Sequence, residues 1–157
     1  MARVGFASVL IAFLVAGLGA ATSDNLVERL ATCQDSWFDW KDDPVRMQKV
    51  VEALHSAFAQ SPNGGSSVPR TAVQVAELPV VEAFPESVGM GVGFSVIVDA
   101  SFDKARGSVE KATGNSFTQC ETGHNMRTCG LEISEKRTLV LVAGDDEKSK
   151  QTLVGCY

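Results

Sequence analysis

Apolar and polar positions in residues 92–120 follow two periods in succession. Val92, Phe94, Val96 and Val98 alternate with Gly93, Ser95 and Asp99, and a period of two predicts a strand with one buried face. Ile97 interrupts the alternation, which predicts partial cover on the other face as well. Ser101 is placed to cap the next element, where Phe102, Ala105, Val109 and Ala112 recur at helical spacing. Gly114 stands where a left-handed stop is expected. Strand, helix and the start of a second strand make a unit that packs a helix on a sheet. The rest of the chain reads as additions to it.

Ahead of this unit the spacing predicts two helices. Ser23 or Asp24 opens a short one containing Leu26, Val27 and Leu30. Asp43 as cap and Pro44 in the first turn open a second. Its apolar stripe is Met47, Val50, Val51, Leu54 and Phe58, and it is expected to run to about Gln60. Residues 61–68 read as a loop by composition. Residues 71–76 and 80–84 read as strands, with Pro79 and Pro85 suited to an edge or a bulge.

Beyond the central helix, residues 116–121, 127–134, 137–143 and 151–157 read as four strands of an antiparallel meander. Leu139, Val140, Leu141 and Val142 are consecutive, as in a central strand covered on both faces. The expected fold is α+β: two N-terminal helices and one central helix packed on a mainly antiparallel sheet, with a β-α-β-β-β-β core tied by disulfides.

The first residues stand apart from this pattern. Met1, Ala2 and Arg3 precede an almost wholly apolar run, and Gly19 and Ala21 close it with small residues. That order is expected of a secretory signal peptide over residues 1–21, leaving residues 22–157 as a single exported domain. The run is at the short end for crossing a bilayer, so no stable membrane insertion is expected after its removal. Arg3 is the only charge it carries, so the net charge moves from −5 to −6 on cleavage. An acidic domain without a basic stripe is a poor match to nucleic acid.

All four cysteines, Cys33, Cys120, Cys129 and Cys156, follow the leader. An even count in an exported chain argues for two disulfides. Cys120 and Cys129 flank a short polar stretch with Gly123 and Asn125 that reads as a hairpin loop, which suits a cross-strand bridge. Cys33–Cys156 is then the second pair, tying the helical region to the last strand.

Few residues suggest chemistry. Trp37, Phe38 and Trp40 stand among Asp35, Asp39, Asp42 and Asp43. Indole faces beside carboxylates suit sugars or cationic groups. Against this, two tryptophans one helical turn apart also suit a core plug beside Cys33. Trp37, Trp40, Asp39 and His124 are the candidate binding residues. The glycines of residues 87–93 precede a strand and lack a following Lys, so a phosphate loop is not expected of them. They read instead as a bulge, or as a strand crossed closely by another element such as a tryptophan ring. His55 and His124 are the only histidines, and the cysteines lack the short spacings of a zinc site.

No catalytic residue, metal or cofactor is therefore expected. The expected function is an exported, non-catalytic binding module. Its partner would be a protein, basic by charge complementarity and met in the manner of an inhibitor, or a small ligand. The alternative is a structural or stress-related protein of the cell envelope, with a small carboxylate-dependent hydrolase behind both. The expected location is periplasmic or extracellular.

Overall fold

A computed structural model of the chain describes residues 23–36, 40, 42–62, 64–84, 93–146 and 149–157. The leader expected at residues 1–21, Trp37, Asp39 and most of the glycine run at 87–93 lie outside the described residues.

Helix α1 (Ser23–Ala31) turns Val27, Leu30 and Ala31 into the core. Helix α2 (Pro44–Ala57) begins where the sequence places it. The Asp43 carboxylate accepts the Arg46 backbone N–H at 2.9 Å, and Pro44 occupies the first turn, where a missing N–H costs nothing. The inner line of α2 is Val50, Leu54 and Ala57, with Met47 half-buried. Val51 is exposed, contrary to expectation: adjacent helical residues point about 100° apart, so Val50 and Val51 cannot both face the core.

Helix α2 also stops short of Gln60. Phe58 adopts extended backbone (φ −125°, ψ 150°) and starts strand β1 (Phe58–Gln60). Its partner, β2 (Ser67–Pro69), lies partly within the stretch read as loop. The pairing of Ala59 with Val68 and Gln60 with Ser67 gives these residues a strand ladder in place of another helical turn. Arg70 reaches back and donates from Nε to the Phe58 carbonyl at 3.0 Å, at the junction where α2 gives way to β1.

The remaining elements are β3 (Gln74–Val75), β4 (Leu78–Phe84), β5 (Phe94–Val98), α3 (Phe102–Thr113), β6 (Gln119–Gly123), β7 (Met126–Ser134), β8 (Arg137–Gly144) and β9 (Thr152–Cys156). Hydrogen-bonded neighbours run β1-β2-β4-β5-β9-β8-β7-β6, with β3 paired to β4. Every pairing is antiparallel. Strands β6 to β9 form a meander, and β9 pairs on its far side with β5. Pro79 belongs to an interior strand, where a register shift between Val80 and Glu82 marks a bulge.

Helix α3 ends at Gly114, which takes the left-handed conformation (φ 70°). Phe102, Ala105 and Val109 are buried, whereas Ala112 is exposed. Two residues of α3 then fix the exit. Glu110 Oε1 accepts the Phe117 N–H at 2.9 Å, and Arg106 donates to the Phe117 carbonyl at 3.0 Å. Phe117 is thereby held in the core at the start of the meander.

Cys33 is bonded to Cys156, and Cys120 to Cys129 across the β6–β7 hairpin. These are the two pairs read from the sequence. The Cys120 and Cys129 Cα atoms stand 4.1 Å apart as direct cross-strand neighbours. Near Cys33, the half-turn after α1 is held by charge. Asp35 is buried and meets Arg29 at 2.5 Å and Arg46 at 3.8 Å, so one carboxylate joins the ends of α1 and α2.

Candidate functional site

Register assigns each strand residue to one of two faces, because successive side chains alternate. Phe94, Val96 and Val98 of β5 pair with Cys156, Val154 and Thr152 of β9, and all six are buried. Leu139 and Leu141 of β8 continue this face and are fully buried. Both disulfides attach to it, since Cys129 pairs with Leu141. So does Arg127, the partner of Ala143. The Arg127 guanidinium binds Asp103 of α3 at 2.7 and 3.1 Å and lies 4.4 Å from the centre of the Phe102 ring.

The other face is different in exposure but not in kind. Ile97, Leu153 and Val142 form an unbroken cross-strand row over β5, β9 and β8. All three are half-buried. The adjacent row holds Ser95, Gly155 and Val140, and Phe84 of β4 pairs with Ser95; Ser95 and Gly155 are buried, so the open part of the face is the Ile97–Leu153–Val142 row with Val140. Met126 belongs to the same face by register and is 46% exposed. An antiparallel sheet with one solvated face normally alternates apolar and polar residues. Here β8 carries Val140 and Val142 where polar residues are expected. The sequence signal was therefore real, but its reading was incomplete. The run 139–142 marks a strand with two apolar faces: Leu139 and Leu141 are fully buried, Val140 and Val142 half-buried.

Tyr157 occupies one end of this half-buried face. Its N–H donates to the Thr138 carbonyl at 3.0 Å, and the Thr138 N–H donates to its carbonyl at 2.6 Å. This pairing continues the β8–β9 ladder and lays the ring over two glycines. A β-carbon on Gly155 would stand 2.9 Å from Tyr157 Cε2, and one on Gly93 would stand 2.6 Å from Cδ1. Gly93 is thus crossed closely by an aromatic ring, though by tyrosine and not tryptophan.

The charged strand residues of this face share one sign, while the exposed Lys136 and Lys150 lie in the segments flanking β8 and β9. Glu82 pairs with Ile97 at one margin, and Glu121 pairs with Thr128 at the other. Glu132, opposite Thr138, adds a third carboxylate. Asp99, exposed, follows β5 directly. No lysine or arginine of the described strands belongs to this face by register. Arg127 is engaged on the opposite face, and Arg137 donates to the Cys33 carbonyl at 3.2 Å.

The residues first considered for binding are placed elsewhere. Trp40 is 2% exposed, and the Arg46 guanidinium stands 4.6 Å from its ring centre. Its indole is taken up by the core and by that cation. His124 is exposed at the β6–β7 turn, where it and Asn125 both have positive φ (53° and 62°). That is the backbone of a two-residue type I′ hairpin turn. Trp40 and His124 therefore belong to separate parts of the fold. Among the described residues no group of three or more His, Cys, Asp or Glu side chains is arranged to hold a metal ion. Among them also, no helix is long and apolar enough to cross a membrane. Comparison with protein-family models, with curated proteins and with solved structures found no match to this chain.

Proposed function

We propose that this chain is an exported, non-catalytic binding module that holds a protein partner on the Ile97–Leu153–Val142 face of its sheet. One observation carries the reading: a contiguous aliphatic row lies on strands whose other face already forms the core. In this reading α1 and α3 cover the Phe94 side and leave the Ile97 side for a partner. Apolar side chains concentrated in one surface patch mark interaction sites more often than scattered ones do. The two disulfides are typical of chains from oxidising, exported compartments, and the sequence of residues 1–21 supports the same destination. The bridges also brace the opposite face, which favours a rigid platform over a mobile one.

The test needs a purified partner. Proteins retained by the immobilised mature chain from the host's own exported fraction are purified singly and titrated against the pure chain. Leu153→Ser and Val142→Thr weaken the reconstituted complex by more than about tenfold, with unchanged far-ultraviolet circular dichroism. Equal binding by these variants, or no binding by any purified candidate, sinks the reading.

A further inference from the structure

We infer that the partner's contact surface is apolar at its centre and fringed by lysine and arginine. This rests on the binding reading above and adds the chemistry of the occupant. The centre of the face offers Ile97, Leu153 and Val142 in register, with Val140 alongside. These side chains gain only from contact with other apolar groups. The margins offer Glu82 on one side and Glu121 and Glu132 on the other. The described strands place no cation on this face to offset them.

This arrangement selects among occupants. A second copy would bring its own glutamates against these, and two chains that each carry −6 once residues 1–21 are removed repel before they meet. A neutral apolar surface would leave the carboxylates at the rim without partners. A surface ringed with cations pairs with them where water still reaches, so the rim speeds encounter and sets orientation while the centre resists dissociation. The same geometry predicts a division of labour among variants: rim changes act mainly on the association rate, and centre changes on the dissociation rate.

The probe is an immobilised peptide of alternating leucine and lysine, compared with a leucine–glutamate peptide and a serine–lysine peptide. The wild-type chain binds the leucine–lysine peptide and neither of the others. Binding falls at least about tenfold between about 50 mM and about 500 mM salt. Glu82→Gln, Glu121→Gln and Glu132→Gln together cause a similar loss through slower association, and the combined variant loses most of the salt dependence. Leu153→Ser abolishes binding. Equal capture by the leucine–glutamate peptide, or an unchanged triple-glutamine variant, overturns the cationic rim while a Leu153→Ser loss leaves the binding face standing. Unchanged binding by Leu153→Ser overturns the face itself. Sedimentation equilibrium of the wild-type chain showing a dimer that Leu153→Ser dissociates makes a second copy the occupant and overturns the inference. So does Leu153-dependent binding to uncharged phosphatidylcholine vesicles, which makes a lipid surface the occupant.

Discussion

The ring of Tyr157 lies against Gly155 so closely that a β-carbon there would stand 2.9 Å from Cε2. The same β-carbon would stand 2.7 Å from Ser95 Cβ and 3.3 Å from the Phe94 carbonyl oxygen. Gly155→Ala therefore overpacks the middle of the sheet and lowers stability by about 1–3 kcal/mol. Adding Tyr157→Ala relieves part of this, since one of the contacts belongs to the ring. Gly93→Ala behaves differently. Its β-carbon collides with the Cys156 backbone carbonyl, which no side-chain change removes. Denaturant titration of the single and double variants checks both statements; full rescue of Gly93→Ala by Tyr157→Ala would contradict them.

The two disulfides close loops of very different size, with sequence separations of 123 and 9. In the chain-entropy account, losing the Cys33–Cys156 bridge costs about 5 kcal/mol and losing Cys120–Cys129 about 2.5 kcal/mol. The paired serine variants should rank in that order by denaturant midpoint. The reverse order would show that native-state contacts of the hairpin, and not unfolded-chain entropy, set the effect.

Acid should weaken the fold through two carboxylates of α3. The Asp103 carboxyl is held below its ordinary value of 3.8, first by its hydrogen bond from Arg127 and then by the charges of Arg127 and Arg106. The Glu110 carboxyl is held below its ordinary 4.5, first by the Phe117 backbone N–H and then by Arg106. A depressed carboxylate stabilises fully above its unfolded-state value, and the contribution is lost as pH falls through its folded value. The wild-type chain is accordingly more stable than Asp103→Asn/Glu110→Gln at pH 7, and the gap narrows below about pH 4.5. Parallel stability curves for the two proteins across that range would rule the linkage out.

A second tight turn carries unfavourable backbone. Ala76 and Glu77 join β3 to β4 with φ of 51° and 65°, the left-handed pair of a type I′ turn. Neither residue adopts it cheaply. The Glu28 carboxylate accepts the Ala76 N–H at 3.2 Å and helps hold the turn against α1. Glu77 is exposed, and its ion pair with Lys111 spans 3.3 Å between two exposed side chains, so it contributes little. Glu77→Gly should raise stability by about 0.5–1 kcal/mol, after the extra freedom of glycine in the unfolded chain is counted. A lowered melting temperature would count against the assignment of strain to this residue.

The proposed export makes a prediction about covalent state. Material recovered outside the cytoplasm should begin at Thr22 and gain two hydrogens per bridge on reduction, about 4 Da in all. Intact mass with and without reductant reads both. A retained Met1, or no mass change, would remove the basis for placing the chain in an oxidising compartment.

What could be read from residues alone followed the strength of local signals. The α3 unit was legible because a period of two gave way to helical spacing between Ser101 and Gly114. The meander was legible because polar turns separate its strands, and the hairpin around His124 pointed to the Cys120–Cys129 pair. Strands β1 and β2 were not legible. Phe58 continues the helical stripe, and only tertiary pairing with Pro69 makes it extended. The candidate face was half legible. Ile97, Val140 and Val142 announced a second apolar surface, but periodicity shows that a face is apolar and not what covers it. Trp40 was legible only as a choice, because an aromatic flanked by carboxylates looks the same in sequence whether it meets a ligand or plugs the core, and its burial beside Arg46 fits the core plug.

Strand β9 is the last strand in chain order and yet stands between β5 and β8. Without it, β1–β5 and β6–β8 are separate ribbons, each with a bare inner edge. The two ribbons can join into one sheet only once Thr152–Cys156 is in place between them. The arch then closes on its keystone, and the bond from Cys156 to Cys33 locks that central strand to the turn after α1.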